Sequence, residues 1–226
     1  MNISEVQFQP WSTLVAGYFV CQNCDHVYRA PTLQAAGTPC EHCGTAIPAQ
    51  RVHFGLHSGV LVDSIQDFYF LRHAKPPPDP DGIVVHIHSN KTDTRIVIPL
   101  LFCTLWEALM TELCKNIMRA KQLEQSLNER LLQDYRSARE KRERLFPALT
   151  GEKWNFALTE LTKRTEVDCV QHFDFFLTVS NKRNRFIHEG ALWPFEDEEL
   201  EGIPEELPPV FWLFAQLHNR YVPKMA

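Results

Sequence analysis

Arg183, Asn184 and His188 are the residues of this chain best suited to chemistry on a phosphodiester. A guanidinium grips phosphate through paired, charge-assisted hydrogen bonds. An imidazole, titrating near neutral pH, can take or give a proton at a reacting oxygen. Asn184 precedes His188 by one helical turn, where its amide can orient the ring. The run Arg183-Asn184-Arg185-Phe186-Ile187-His188 closes with Glu189-Gly190, a natural helix stop. On a helix, His172, Phe176, Val179 and Arg183 share one side, so Arg183 continues an apolar face and needs an anion or an interface as partner. His188 then lies about 140° around the axis from Arg183. The two groups converge if the helix ends between them, or if two protomers pair around this region. Without any chemistry, Arg and His near a helix C-terminus also suit the helix dipole.

A second group is Cys21-x2-Cys24 and Cys40-x2-Cys43, with fifteen residues between the pairs. Four thiolates at this spacing suit a tetrahedral Zn2+, and Gly44 lets the backbone turn tightly beside them. Val27–Ala30 reads as a short strand and Ala36–Pro39 as a turn, the pattern of a zinc ribbon. A redox Cys-x-x-Cys wants a single pair ahead of a helix in a βαβ setting, which is absent here. Four sulfurs leave no open coordination position, so the expected role of the ion is structural; a segment this small has too little core to fold alone. His26 and His42 flank the ligands but are not needed to complete the set. Cys103, Cys114 and Cys169 sit singly in apolar helical patterns, as buried thiols do.

These groups must be positioned by a mostly helical framework. Ile65, Phe68 and Arg72 at helical spacing predict a helix over 57–72. Lys75–Gly82, with four prolines, predicts a stiff extended connector and a domain boundary. Val84–His88 and Thr94–Ile98 are β-prone and flank Ser89–Asp93, which predicts a hairpin; Pro99 suits the first turn of the helix that follows. Phe102, Leu105, Trp106, Leu109, Leu113 and Ile117 form one apolar stripe. Leu127, Leu131, Tyr135, Ala138 and Leu145 form a second, ended by Pro147. A short helix should follow Thr150-Gly151, Asp168 can cap another, and a last one should begin near Pro209. The fold class expected is mainly α: an N-terminal zinc-ribbon region over 1–74, a Pro-rich linker over 75–82, and a β-hairpin plus helical bundle over 83–226. His86 and His88 share a strand face without a nearby carboxylate or Cys, and read as exposed. Arg136–Arg144, of mixed sign, reads as a solvated face. Glu196–Glu206 reads as an acidic loop able to compete with RNA for a cleft.

With these elements around it, Arg183-Asn184…His188 resembles the motif of the HEPN superfamily of small helical-bundle proteins, whose ribonuclease members carry an Arg, a polar residue and then a His. Leu105–Met110 is similar to the family's first helix, placing Glu107 at its acidic position, and Leu145–Gly151 is similar to its middle connector. The resemblance covers about residues 96–226 and leaves the cysteine module as an appended domain. It implies metal-independent cleavage of single-stranded RNA or tRNA by attack of a 2′-hydroxyl, leaving a 2′,3′-cyclic phosphate. In that scheme His188 is acid or base, Arg183 holds the phosphate, Asn184 supports either, and Glu107 orients Arg183. It also implies a homodimer with two motifs facing one cleft, and a conditional role in stress, toxin activity or antiphage defence; the zinc ribbon would then recognise RNA or a regulatory protein partner. A toxin branch of the family has a modifiable Tyr two residues beyond the His; Gly190 stands there instead.

Length and charge bound these readings. A chain of 226 residues holds one medium domain and a small module. A net charge of −5 and a pI near 6.1 argue against a protein that coats nucleic acid, but not against a local basic cleft. No uninterrupted run of eighteen apolar residues and no leader pattern occur in the sequence, so a cytoplasmic protein without a membrane role is expected. The rival reading is a noncatalytic zinc-ribbon module that binds nucleic acid or protein, with the bundle as a dimerisation scaffold. A third, a zinc-dependent hydrolase, conflicts with the four-sulfur site.

Overall fold

Phe102, Leu105, Trp106, Leu109, Leu113 and Ile117 lie on one stripe of a long helix and are all buried, forming the spine of the fold. The structure is a computed structural model that describes residues 18–21, 23–24, 26–29, 39–46, 54–73, 90–165, 167–190 and 195–222. The expected connector over 75–82 and the arm Val84–His88 lie outside the described residues. Strands β1 (Tyr18–Val20) and β2 (Val27–Arg29) pair antiparallel, Phe19 opposite Tyr28. Helices follow: α1 (Leu56–His73), α2 (Asn90–Ala120), α3 (Gln125–Asp134), α4 (Ala138–Glu140), a π-helical turn (Lys141–Leu145), α5 (Phe146–Thr150), α6 (Trp154–Arg164), α7 (Cys169–Glu189) and α8 (Asp197–Tyr221). The expected mainly α architecture is what forms, and the helix expected over 57–72 is α1.

Around α2 pack α1, α7 and α8. Trp106 stacks on Phe176 at 4.5 Å between ring centroids and meets Phe214 edge-on at 5.3 Å. Such pairs add stabilisation beyond the area they bury. The segment Thr94–Ala120 is long and apolar enough to cross a membrane, yet half of its most apolar stretch is buried inside the fold.

Three expectations fail for identifiable reasons. Thr94–Ile98 is not a hairpin arm but the second turn of α2, and Pro99 lies inside that helix instead of in its first turn. Thr94 and Ile98, one turn apart, are both fully buried and continue the stripe to Phe102; helical burial overrides the β-propensity of the Ile-Val-Ile run. Second, the stripe from Leu127 to Leu145 is not one helix. The chain breaks after Asp134, restarts at a capping box between Ser137 and Glu140, and widens into the π-helical turn, whose closing bond runs from Phe146 N–H to Lys141 O. Pro147 does not end this run: it sits in the first turn of α5, which stops at left-handed Gly151. Having no N–H, Pro147 cannot close an ordinary turn onto Glu143, which suits the wider π register.

Third, α8 begins at Asp197, not near Pro209, and runs through Pro204, Pro208 and Pro209. From Asp197 to Glu206 this segment is therefore helix, with Glu196 as its N-cap, and not an acidic loop. Its first-turn acids suit the positive end of the dipole. Leu200, Ile203, Leu207, Val210 and Phe211 bury one continuous side, while the prolines lie only partly buried. An interior proline costs about 3 kcal/mol, whereas each large apolar side chain buried contributes about 1.5–3 kcal/mol. Burial wins here. The carboxylates of this half also clamp the bundle: Asp197 pairs with Arg72 at 2.6 Å and Arg95 at 2.8 Å, Glu201 accepts from Tyr69 and Arg72, and Glu206 meets His172 at 2.8 Å. Carboxylates engaged in this way are not free to compete with RNA.

Candidate functional site

Arg183 reaches the surface of α2 from the last third of α7 and donates from Nη2 to Glu107 Oε1 at 2.8 Å. Val179 and Phe176, one and two turns earlier, are buried and aim this face at α2. The cation's side chain is 19% exposed and Glu107's 43%, so the pair sits at the edge of the core with its anion facing outward. Burial opposes the Arg183 charge, but Cys103 and Glu107 outweigh it and hold its pKa above the usual value. Burial pushes the Cys103 thiol up to about 11; at neutral pH it is uncharged and Glu107 is the partner that counts. Arg183 Nε is buried and makes no hydrogen bond within the described residues, a donor held without an acceptor.

The other two motif residues lie elsewhere on the same helix. Asn184 is half-buried and His188 exposed, and among the described residues no hydrogen bond joins them. Helix α7 stays regular through Glu189 and stops at Gly190, whose φ of 65° places it in the left-handed region and whose N–H donates to Arg185 O. The helix does not end between Arg183 and His188, so within one chain they do not converge. Neighbouring cations are engaged: Lys182 by Glu199 at 2.5 and 2.6 Å, Arg185 by Glu189 at 3.5 Å.

Beside Glu107 opens a polar recess of about 440 Å³, lined also by His57, Thr111, Glu112, Lys115, Arg119 and Lys141. Lys141 was hidden from sequence reasoning inside the run Arg136–Arg144, read as solvated. Most of that run is spent locally, with Arg139 and Arg142 on Glu143 and Arg142 also over the Phe173 ring. Lys141 differs. The π-helical turn holds it buried at the recess, donating to Arg136 O at 2.7 Å, and burial lowers its pKa. The one available signal was Pro147, which forces an irregular turn just before it.

The cysteines form a separate centre. Cys21 Sγ lies 3.5 Å from Cys43 Sγ, Cys24 Sγ lies 3.6 Å from Cys40 Sγ, and all four sulfurs fall within 4.8 Å of one another. A tetrahedral ion with bonds of about 2.3 Å to sulfur needs sulfurs about 3.8 Å apart, so the set fits a metal ion. Two matched turns build it: Cys21 N–H donates to His26 O at 2.9 Å, and Cys40 N–H to Thr45 O at 2.7 Å. Gly44, with a φ of 71°, closes the second turn. Thr45, through its side chain and then its backbone, draws the Cys43 thiol down to about 5. His26 and His42 stack across the two turns at 5.7 Å, outside the sulfur set. The unit rests against the bundle through Val20, buried in the main core, and through Arg164, which donates to Asn23 O at 3.3 Å.

The structure thus brings Glu107 and Arg183 together, and the four cysteines together, while His188 and Asn184 stand apart from the first pair. A scan against protein-family models found no match to this chain, and searches of curated proteins and of solved structures returned none either.

Proposed function

We propose that this chain is a metal-independent endoribonuclease of the HEPN type, acting as a homodimer, with Zn2+ held by Cys21, Cys24, Cys40 and Cys43 as a structural ion. The observation that carries this reading is the Glu107–Arg183 pair: a guanidinium fixed by a carboxylate on the central helix, at the rim of a polar recess. The same pair is what the resemblance demands of the bundle. A fixed guanidinium is preorganised for charge that develops on phosphate oxygens. His188 removes the proton of the substrate's 2′-hydroxyl; the 2′-oxygen bonds to phosphorus as the bond to the 5′-oxygen breaks, and the protonated His188 gives that proton to the departing 5′-oxygen. The products are a 2′,3′-cyclic phosphate and a 5′-hydroxyl, and no water is consumed. Because Arg183 and His188 do not meet on one chain, the site is composite, with His188 of one copy facing Arg183 of the other. Ile187, 47% exposed beside His188, gives that contact an apolar element.

A second reading is favoured by the same unbroken helix. If α7 carries Arg183 and His188 on different sides because they never cooperate, the bundle is a dimerising scaffold and the cysteine unit a binding module. Incubation with tRNA and single-stranded RNA in excess EDTA, followed by end-group analysis, separates the two. Cyclic phosphate ends that vanish with His188→Ala support the nuclease. Intact RNA supports the scaffold, and cleavage that stops on chelation points to a zinc-dependent hydrolase instead.

A further inference from the structure

Two recesses adjoin along the outer side of α2. The first, beside Glu107, is joined through Lys115 and Arg119 to a second of about 430 Å³ that extends to Asn128 and Glu129 of α3. Together they form a trough that starts at Glu107, the carboxylate that holds Arg183, and follows the helix to its C-terminal end. Lys115 and Arg119 sit one turn apart, and Arg119 lies about 18 Å along the axis from Glu107. That length accommodates several nucleotides of a strand whose stacked rise is about 3.4 Å each.

Charge in the trough is uneven. Glu107 is taken by Arg183, and Glu112 accepts from Gly55 N–H at 3.1 Å with His57 4.0 Å away. Glu129, in the outer recess, accepts from the neutral Gln125 amide and, among the described residues, meets no cation. Lys115 and Arg119 are exposed and, among the described residues, their side chains make no ion pair or hydrogen bond. Lys141 adds a third cation at the inner end, its charge met by a carbonyl rather than an acid. These two cations in register on one helix face contrast with the neighbouring cations of α7, which are paired with acids.

We infer that this trough is a track for single-stranded RNA, in which Lys115 and Arg119 contact successive phosphates of the strand leading from the cleavage site. The inference rests on the proposed nuclease reading and specifies its substrate: a strand extended along α2 rather than an isolated nucleotide or a duplex.

The test is binding of a short fluorescein-labelled RNA whose 2′-oxygens are methylated, so that it cannot be cleaved, to wild type and to Lys115→Ala/Arg119→Ala. Losing two phosphate contacts should lower the slope of log affinity against log salt by about 1.4, at about 0.7 per phosphate of a single strand. Affinity near physiological salt should fall about tenfold or more. Lys153→Ala, an exposed cation outside the trough, should change neither quantity. An unchanged salt slope in the double variant would overturn the track, as would an equal loss of affinity for the same strand annealed to its complement. Normal RNA binding with lost self-association would assign the trough to a contact between copies, and would overturn it too. If wild type binds the strand through Lys115 and Arg119 yet never cleaves unmodified RNA, the track stands and the nuclease falls. If Arg183→Ala abolishes cleavage while the double variant binds normally, the nuclease stands and the track falls.

Discussion

The cysteine unit and the helical bundle meet the same entropic cost of folding by opposite means. Beyond the side chain that Val20 lends to the bundle, the unit's own cluster consists, among the described residues, of buried Cys21 and Cys40 with partly buried Cys24 and Cys43 against them. Its paired strands are three residues long. Without an ion, little holds it. The bundle instead buries a continuous core from Val62 to Leu217 around the aromatic cluster of Trp106, Phe173, Phe176 and Phe214. The contrast teaches that metal dependence and chemistry should be separable: removing the ion should dismantle one region and leave Glu107, Arg183 and His188 in place.

The largest expected effect is therefore chelation. Structural zinc contributes about 10–16 kcal/mol in small modules, so excess chelator should strip amide-exchange protection from residues 18–21, 26–29 and 39–46 while 102–117 remains protected. Equal loss in both regions would erase the distinction. Next, Trp106→Ala should destabilise the bundle by about 3–5 kcal/mol in urea unfolding, because it empties the centre of the aromatic cluster. The spectroscopic signature of a metal bound by the cysteines should persist until the bundle unfolds.

A pH dependence specific to the bundle follows. His218 is buried with Nε2 lacking a hydrogen bond among the described residues, and burial pushes its pKa down to about 4 from the ordinary 6.5. Between those values the unfolded chain binds the proton and the folded one does not, so this contribution is complete above about pH 6.5 and is lost as pH falls toward 4. It amounts to roughly 3 kcal/mol at most. Urea unfolding across that window should show the loss, and His218→Leu should flatten it. The smallest effect expected is at the start of α7, where Asp168 accepts from Val170 and Gln171 N–H at 3.1 and 3.0 Å. Asp168→Ala should cost about 1 kcal/mol without altering metal retention.

What could be read from sequence was whatever is written in local periodicity. The α2 stripe, the Asp168 cap, α1 and the paired cysteines each carry their signal within a few turns. So did the need of Arg183 for an anion, since it follows from the face it continues; that the anion is Glu107 came from the resemblance. Long-range compensation was illegible. Nothing near Pro204, Pro208 and Pro209 announces that burial of Leu200, Ile203 and Leu207 carries a helix through them, or that Asp197 and Glu201 find Arg72 on α1. The β-branched run at Ile96 misled because its burial partners lie far along the chain, and Lys141 stayed hidden because a π-helical turn has no periodic signature.

The most direct test of the account is a mixed pair: Arg183→Ala and His188→Ala chains, differently tagged, co-expressed and purified as one heterodimer. In a two-fold pair with sites shared between copies, one site keeps both an intact Arg183 and an intact His188 while the other loses both. The account predicts that each variant is inactive as a homodimer and that the mixed pair cleaves RNA in EDTA at about half the wild-type rate. A mixed pair as inactive as its parents would contradict it.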